Sequence, residues 1–291
     1  MKLGIIGLGR WGSRVYPEYL KLQKEKKVDY VFSCDTQKPA DFKDYHDMLG
    51  HVDGVHICLP NKYHYQVALD VLQSGTHCMV EKPMTLSKTQ AHHLIEVASE
   101  QGLILQVGYI LRFANVIRKA KELYLSGVCG QLYYGAMRWT ALMDSMDKTD
   151  IVWDLLPHPL DIMHFITGRY PNGNSQVMER CFRREELGEI AFINLDYDDF
   201  FMNVWLSWLD PVKRRDVWLY GSDGALWFDA VSQKMKVFKG DVVEDVPVVS
   251  NDTIYHEALN FIRCLSDGHN RFNSHIVGLQ NTEFIEELLK K

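Results

Sequence analysis

A three-glycine turn between two short apolar runs constrains this chain more than any other feature. The run Leu3 to Ile6 enters Gly7-Leu8-Gly9-Arg10-Trp11-Gly12, and a second run, Tyr30 to Ser33, leads into Asp35. Strand, glycine turn, helix, strand and acid stand in the order that a dinucleotide requires. Gly7 permits the tight turn, Gly9 lets the backbone approach a pyrophosphate, and Gly12 lets the helix pack close to the strand. The helix N-terminus offers its unpaired N–H groups to the phosphates. Asp35 is placed to accept hydrogen bonds from ribose hydroxyls. A carboxylate beside the 2′-position repels a 2′-phosphate, which favours NAD, while Lys38, just past the acid, can partner a phosphate and keeps NADP open.

The alternation continues. Gly54 to Leu59 reads as a strand, Tyr65 to Gln73 as a helix, His77 to Val80 as a strand, Lys88 to Gln101 as a helix and Leu103 to Val107 as a strand. Strands alternating with helices imply right-handed crossovers and a parallel sheet. This predicts an α/β Rossmann domain over residues 1–113. Beyond a helix at Ala114 to Ser126, the pattern turns to strands: Leu132 to Trp139, Ser175 to Arg183, Glu189 to Tyr197, Phe200 to Leu209, Asp216 to Tyr220, Ala225 to Asp229 and Met235 to Lys239. Gly-containing turns such as Gly221-Ser222-Asp223-Gly224 separate them, and helices at Thr253 to Leu265 and Ser274 to Leu289 close the chain. Residues 114–291 are therefore expected to form an α+β domain for substrate binding and oligomerisation, built on a large, mainly antiparallel open sheet. Trp205, Trp208, Trp218 and Trp227 load that sheet with aromatics. Such a face is covered either by the chain's own helices or by a second copy, in a homodimer or homotetramer, with Phe201, Trp205 and Trp218 as candidate contacts.

A chain of 291 residues, 46% hydrophobic and 24% charged, supports two domains with cores of their own. The net charge of -6 argues against a nucleic-acid partner. Arg183-Arg184 and Lys213-Arg214-Arg215 read as solvated strand ends. The six cysteines show no CxxC pair, and several sit in apolar strands, the pattern of reduced thiols in a cytoplasmic protein. The apolar start is itself the first strand and no run approaches the length of a transmembrane helix, so no membrane partner is expected. The twelve histidines are scattered, and no metal site is expected.

Two clusters offer chemistry. Glu81-Lys82-Pro83 follows the strand His77 to Val80, at the carboxyl edge where ligands of open α/β sheets bind. A lysine there can hold a substrate oxygen and share its proton; the same tripeptide is also common on surfaces. In Trp153-Asp154-Leu155-Leu156-Pro157-His158-Pro159, the prolines put His158 at a helix start, with Pro159 suited to the first helical position. Asp154 can orient the imidazole and stabilise its charged form. Alternatively His158 caps the helix and Asp154 faces solvent.

On these residues the chain resembles, over nearly its whole length, the oxidoreductase family of glucose–fructose oxidoreductase, inositol dehydrogenase and the rhizopine catabolism proteins. The resemblance rests on the Gly7 to Gly12 turn, on Leu59-Pro60-Asn61 followed by His64, on Glu81-Lys82-Pro83, on Gly108-Tyr109 with Arg112-Phe113, and on Asp154 with His158 and Asp161. It implies that Lys82 and His158, with Asp154, flank the nicotinamide and the reacting carbinol. It further implies a cofactor pocket drawn from Gly7, Leu8, Gly9, Arg10, Trp11, Gly12, Asp35, Leu59, Pro60, Asn61, His64, Glu81, Lys82 and Arg112. Trp153 to His158 is locally similar to an element of nucleotide-sugar 3-dehydrogenases. The chain departs from the family at Leu156, where glycine is usual, and is short in the second domain, which bears on substrate more than on chemistry. The expected activity is NAD-dependent oxidation of a secondary alcohol of a sugar, cyclitol or nucleotide sugar. The alternatives are an NADP-dependent keto-sugar or related carbonyl reductase, and a catalytically silent cofactor-bound sensor.

Overall fold

The computed structural model describes residues 1–143, 149–183, 187–272 and 274–290. The chain forms two compact units, Met1–Ile110 with Asp252–Glu283, and Leu111–Asn251 with Phe284–Lys291.

The first unit opens with β1 (Lys2–Ile6), α1 (Gly12–Lys24), β2 (Tyr30–Cys34), α2 (Tyr45–Leu49), β3 (Gly54–Ile57), α3 (His64–Gln73), β4 (His77–Glu81), α4 (Lys88–Glu100) and β5 (Leu105–Gly108). Its five strands are all parallel, in the order β2-β1-β3-β4-β5. β3 and β5 are buried along their whole length, as strands covered on both faces must be. β2 lies on one side of β1 and β3 on the other, so the loops that follow β1 and β3 leave the sheet where the strand order reverses.

The second unit contains α5 (Asn115–Leu125), β6 (Leu132–Leu142), α6 (Ile151–Leu155), α7 (Pro157–Thr167), β7 (Gln176–Arg180), β8 (Ile190–Asp196), β9 (Phe201–Ser207), β10 (Leu209–Gly221), β11 (Ala225–Asp229), β12 (Lys234–Lys239) and β13 (Val242–Val246). Eight strands form one sheet in the order β13-β12-β11-β10-β6-β9-β8-β7. It is antiparallel except where β6 runs parallel to β9. One face carries Met137, Trp139, Val204, Leu206, Val217 and Leu219, buried beneath residues of α5, α6 and α7 such as Ile117, Val152, Leu160 and Met163. The alternate positions carry Tyr134, Phe192 and Phe201, all exposed, in line with the period of two along a strand.

Two further helices, α8 (Thr253–Asp267) and α9 (His275–Leu288), follow the sheet. The expected continuous domain 114–291 gives way here to a return of the chain. Ala258, Phe261 and Ile262 of α8 join Leu3, Ile5, Val15 and Tyr19 in one buried cluster. Gly278 of α9 lies against Val107 so closely that a Cβ would come within 2.6 Å of its side chain. Periodicity shows that a helix has an apolar face but not which sheet covers it. β10 is also longer than the expected Asp216 to Tyr220, because a register shift between Leu209 and Arg214 breaks the alternation that marks a strand. The expected strand Phe200 to Leu209 ends at Ser207. α2 and β13 are additional elements; β13, Val242–Val246, is almost wholly exposed and has no apolar rhythm.

Candidate active site

The residues named from sequence fall into two groups, one in each unit. In the first, the glycines have distinct environments. Gly7 has φ +91°, and a Cβ there would lie 2.8 Å from the Cys58 carbonyl; a Cβ on Gly12 would lie 1.8 Å from the Gly7 carbonyl. Only glycine fits either position. Gly9 has open space where a Cβ would stand, and Arg10 beside it is exposed. The cradle therefore suits a pyrophosphate lying against bare backbone. The Asp35 carboxylate accepts from Leu8 N at 2.7 Å and from Gln37 N and Lys38 N at 2.8 Å each. Burial pushes the Asp35 carboxyl up, but these three N–H groups and the Lys38 ammonium outweigh it and hold it below the usual range. The Lys38 ammonium donates to the Leu8 carbonyl, so acid and base flank the same turn.

Glu81, the last residue of β4, is pinned from two sides. Trp11 Nε1 donates to its Oε1 at 2.5 Å, and His56 Nε2 lies 3.1 Å from the same oxygen. His56 Nδ1 is 3.2 Å from the Tyr19 hydroxyl. Opposite Glu81 in register stands Gly108, where a Cβ would come 2.9 Å from the carboxyl; this gives the Gly108 of the motif its reason. His56, Cys58 and Glu81 also bring one possible metal-ligating atom each within 4.8 Å of one another, all buried. Sequence spacing did not expose this cluster, although His56 and Cys58 stand two apart where β3 ends. Burial first, then the Glu81 and Glu257 charges, push the Cys58 thiol well up, and the hydrogen bonds among His56, Glu81 and Trp11 account for the other two groups.

His64, expected at the cofactor, has no exposed surface and acts as a strut. Its Nδ1 lies 2.8 Å from the Pro83 carbonyl and its Nε2 2.8 Å from the Leu59 carbonyl. It ties the Leu59-Pro60-Asn61 turn to the backbone next to Lys82. Burial holds the ring below its usual pKa against the pull of the two carbonyls. Leu59, Pro60, Asn61 and Lys82 are half-buried.

In the second unit Asp150 caps α6, accepting from Val152 N at 2.7 Å. Pro157 rather than Pro159 takes the first position of α7. Both prolines fit because the first-turn N–H groups have no partner within the helix. Leu156, which departs from the family's glycine, is fully buried in the core. Asp154 and His158 are half-buried. The His158 ring stacks on Trp139 of β6, 5.6 Å between centroids. Arg215 lies over the same indole, 4.8 Å from its centroid. It was expected to be a solvated strand end, but the register pairs it with buried Trp139, where a charged run in sequence conceals it. Arg214 is half-buried, and Arg184 lies outside the described residues.

Arg112, expected at the cofactor, is buried in this unit. Its Nε donates to Asp161 at 2.6 Å and its Nη2 lies 3.1 Å from His164 Nδ1. Burial pushes Asp161 up to about 6 against the Arg112 charge, and burial with Arg112 and Lys121 brings His164 down to about 4. The ion pair fixes α7 from within, which fits Arg112 as a structural residue.

The oxidoreductase family model with an NAD-binding Rossmann fold matches residues 1–109, and the Gfo/Idh/MocA C-terminal domain model matches residues 117–227. The chain is 29% identical over 180 residues to the UDP-N-acetylglucosamine 3-dehydrogenase of Acidithiobacillus ferrooxidans, covering 59% of this chain and 56% of that protein. It is 28% identical over 204 residues to an inositol 2-dehydrogenase of Leifsonia xyli, covering 62% and 60%. The chain thus spans little more than half the length of these curated relatives. A solved structure of the Acidithiobacillus enzyme superposes with a TM-score of 0.88 at 22% identity, covering 99% of this chain and 96% of that one. With both domain models matched in order along most of its length, the chain belongs to the Gfo/Idh/MocA family of NAD-binding oxidoreductases.

Proposed function

We propose that the protein is an NAD(P)-dependent dehydrogenase that oxidises a secondary alcohol of a sugar, cyclitol or nucleotide sugar. The observation that carries this reading is the glycine cradle, with Gly12 locked on the Gly7 carbonyl and Gly9 open beside the anchored Asp35. The relatives that act on UDP-N-acetylglucosamine and inositol support the substrate class. When bound, the nicotinamide supplies a hydride acceptor. Lys82, placed directly after the pinned Glu81, polarises the reacting oxygen. His158 takes the hydroxyl proton, since hydride leaves an alkoxide far more readily than an alcohol, and Asp154 steadies the imidazole. Asp35 favours NAD, and the Lys38 ammonium beside it leaves room for NADP.

The open aromatic face of the large sheet, with Phe201, Trp205 and Trp218, supports a homodimer or homotetramer. Among the described residues no helix is long and apolar enough to cross a membrane, and all six cysteines are free thiols, in keeping with a cytoplasmic protein. A screen of sugars, cyclitols and nucleotide sugars with NAD and NADP, followed at the nicotinamide absorbance, tests the activity. Tight NADH binding without turnover of any alcohol or carbonyl would favour a cofactor-bound sensor. Light scattering tests the assembly, and a monomer at micromolar concentration would count against it.

A further inference from the structure

Two arginines of the second unit's sheet meet different fates. Arg138 offers its Nε and Nη2 side by side to the Asp216 carboxylate, at 3.0 and 2.7 Å, and is thereby satisfied within the fold. Arg215 has no such partner. Its Nη1 donates to the Thr140 carbonyl at 2.9 Å and the Arg214 carbonyl at 2.7 Å. Its Nε and Nη2, the side of the guanidinium that grips a planar anion with two parallel bonds, have no hydrogen-bond partner among the described residues. The group is half-buried, stacked on Trp139, and that same indole stacks on His158. Burial brings the guanidinium down to about 10, with the Asp154 charge opposing it. A cation taken partly out of water costs stability unless an anion meets it. The two carbonyls fix its position and the Asp154 charge offsets its burial only in part, leaving the Nε and Nη2 edge of an oriented fork one aromatic ring away from His158.

We propose that Arg215 binds an anionic substituent of the substrate, a sugar carboxylate or a sugar phosphate, through its Nε and Nη2, so that the protein acts on acidic sugars in preference to neutral ones. This deepens the dehydrogenase reading and rests on His158 marking the reacting centre. The carbonyl bonds to Nη1 set the plane of the fork, and Trp139 holds imidazole and guanidinium at a fixed separation. An ammonium at this position would keep the charge but lose the two-point grip.

The test uses matched sets, each a neutral sugar with its uronic acid and its phosphate ester. kcat/KM is followed by NADH formation, and affinity is measured by calorimetry on the NADH-loaded protein. The wild type is expected to favour an acidic member over the neutral one by roughly tenfold to a hundredfold, the usual worth of a charge-assisted pair. Preference for the uronate identifies the carboxylate, and preference for the ester the phosphate. R215Q is expected to bring the ratio close to one, and R215K to lose most of it. A wild-type ratio at or below one overturns the proposal whether or not the variants fold. So does an unchanged ratio in a folded variant, including equal loss on all members, which would make Arg215 a support for Asp154. If no sugar is turned over, the ratio of affinities still decides the role of Arg215, while the dehydrogenase reading fails separately.

Discussion

Trp11 and Glu81, 70 residues apart in sequence, share a hydrogen bond of 2.5 Å between indole Nε1 and carboxylate Oε1. It joins the glycine turn, at the residue before α1, to the residue preceding Lys82. A change in how the turn is held is therefore felt at the lysine's backbone. Trp11→Phe keeps an aromatic ring but removes the donor. It is expected to lower stability by about 1–3 kcal/mol, as loss of a bond to a charged acceptor does, and to weaken NADH binding severalfold. Urea unfolding and fluorescence titration read the two effects, and no change in either would make the bond incidental.

The glycines separate fold from ligand. Gly12→Ala would set a methyl 1.8 Å from the Gly7 carbonyl, so both stability and NADH binding are expected to fall, the former by at least the 1–3 kcal/mol typical of overpacking. Gly9→Ala has open space and is expected to leave the melting temperature near that of the wild type while sharply reducing NADH affinity. Retained affinity in Gly9→Ala would remove the cradle from the binding site.

At the reacting centre, Lys82→Ala and His158→Asn are expected to bind NADH normally and lose turnover by on the order of a hundredfold or more, the usual contribution of a positioned acid or base. Asp154→Asn is expected to lose less, by releasing the imidazole orientation. Turnover on the best substrate of the screen is the measurement. Wild-type rates in both of the first two variants would make Lys82 and His158 structural.

The Arg112, Asp161 and His164 group predicts a pH effect. The His164 pKa is lowered in the fold to about 4 from an ordinary value of 6.5. The unfolded chain therefore binds the extra proton first, and the stability that His164 contributes is present above about pH 6.5 and lost as the pH falls towards 4. Asp161, raised to about 6, acts in the opposite direction over much of the same window, so the two largely cancel in the wild type. His164→Gln unmasks Asp161: relative to the wild type, the variant should gain stability between pH 6.5 and 4. Urea midpoints at pH 7 and pH 5 decide this, and a constant difference between the two proteins would refute it.

Much of the first unit could be read from the sequence because its constraints are local. Gly7, Gly9, Gly12 and Asp35 lie within one strand, turn, helix and strand, and Gly7 and Gly12 have the tight backbone environments expected of them. His64 and Arg112 were legible as motif residues, but their hydrogen-bond partners were not. Both are buried, and their partners, the carbonyls of Leu59 and Pro83 and the side chain of Asp161, become visible only when separate segments meet. Arg215 was hidden by its charged neighbours, since a run of Lys213, Arg214 and Arg215 looks solvated until the register sets its last member opposite Trp139. His56 was missed because its partner Glu81 lies on the next strand.

The return of α8 to the first unit bears on the order in which this protein matures on the ribosome. Leu3, Ile5 and Tyr19 are made about 240 residues before Ala258, Phe261 and Ile262, which complete the cluster that buries them. About 140 of those residues are of the second unit, between Ile110 and Asp252, and at about 5–20 residues per second the apolar surface of β1 and α1 waits on the order of tens of seconds for its cover. The large sheet is therefore synthesised whole before the nucleotide fold can close.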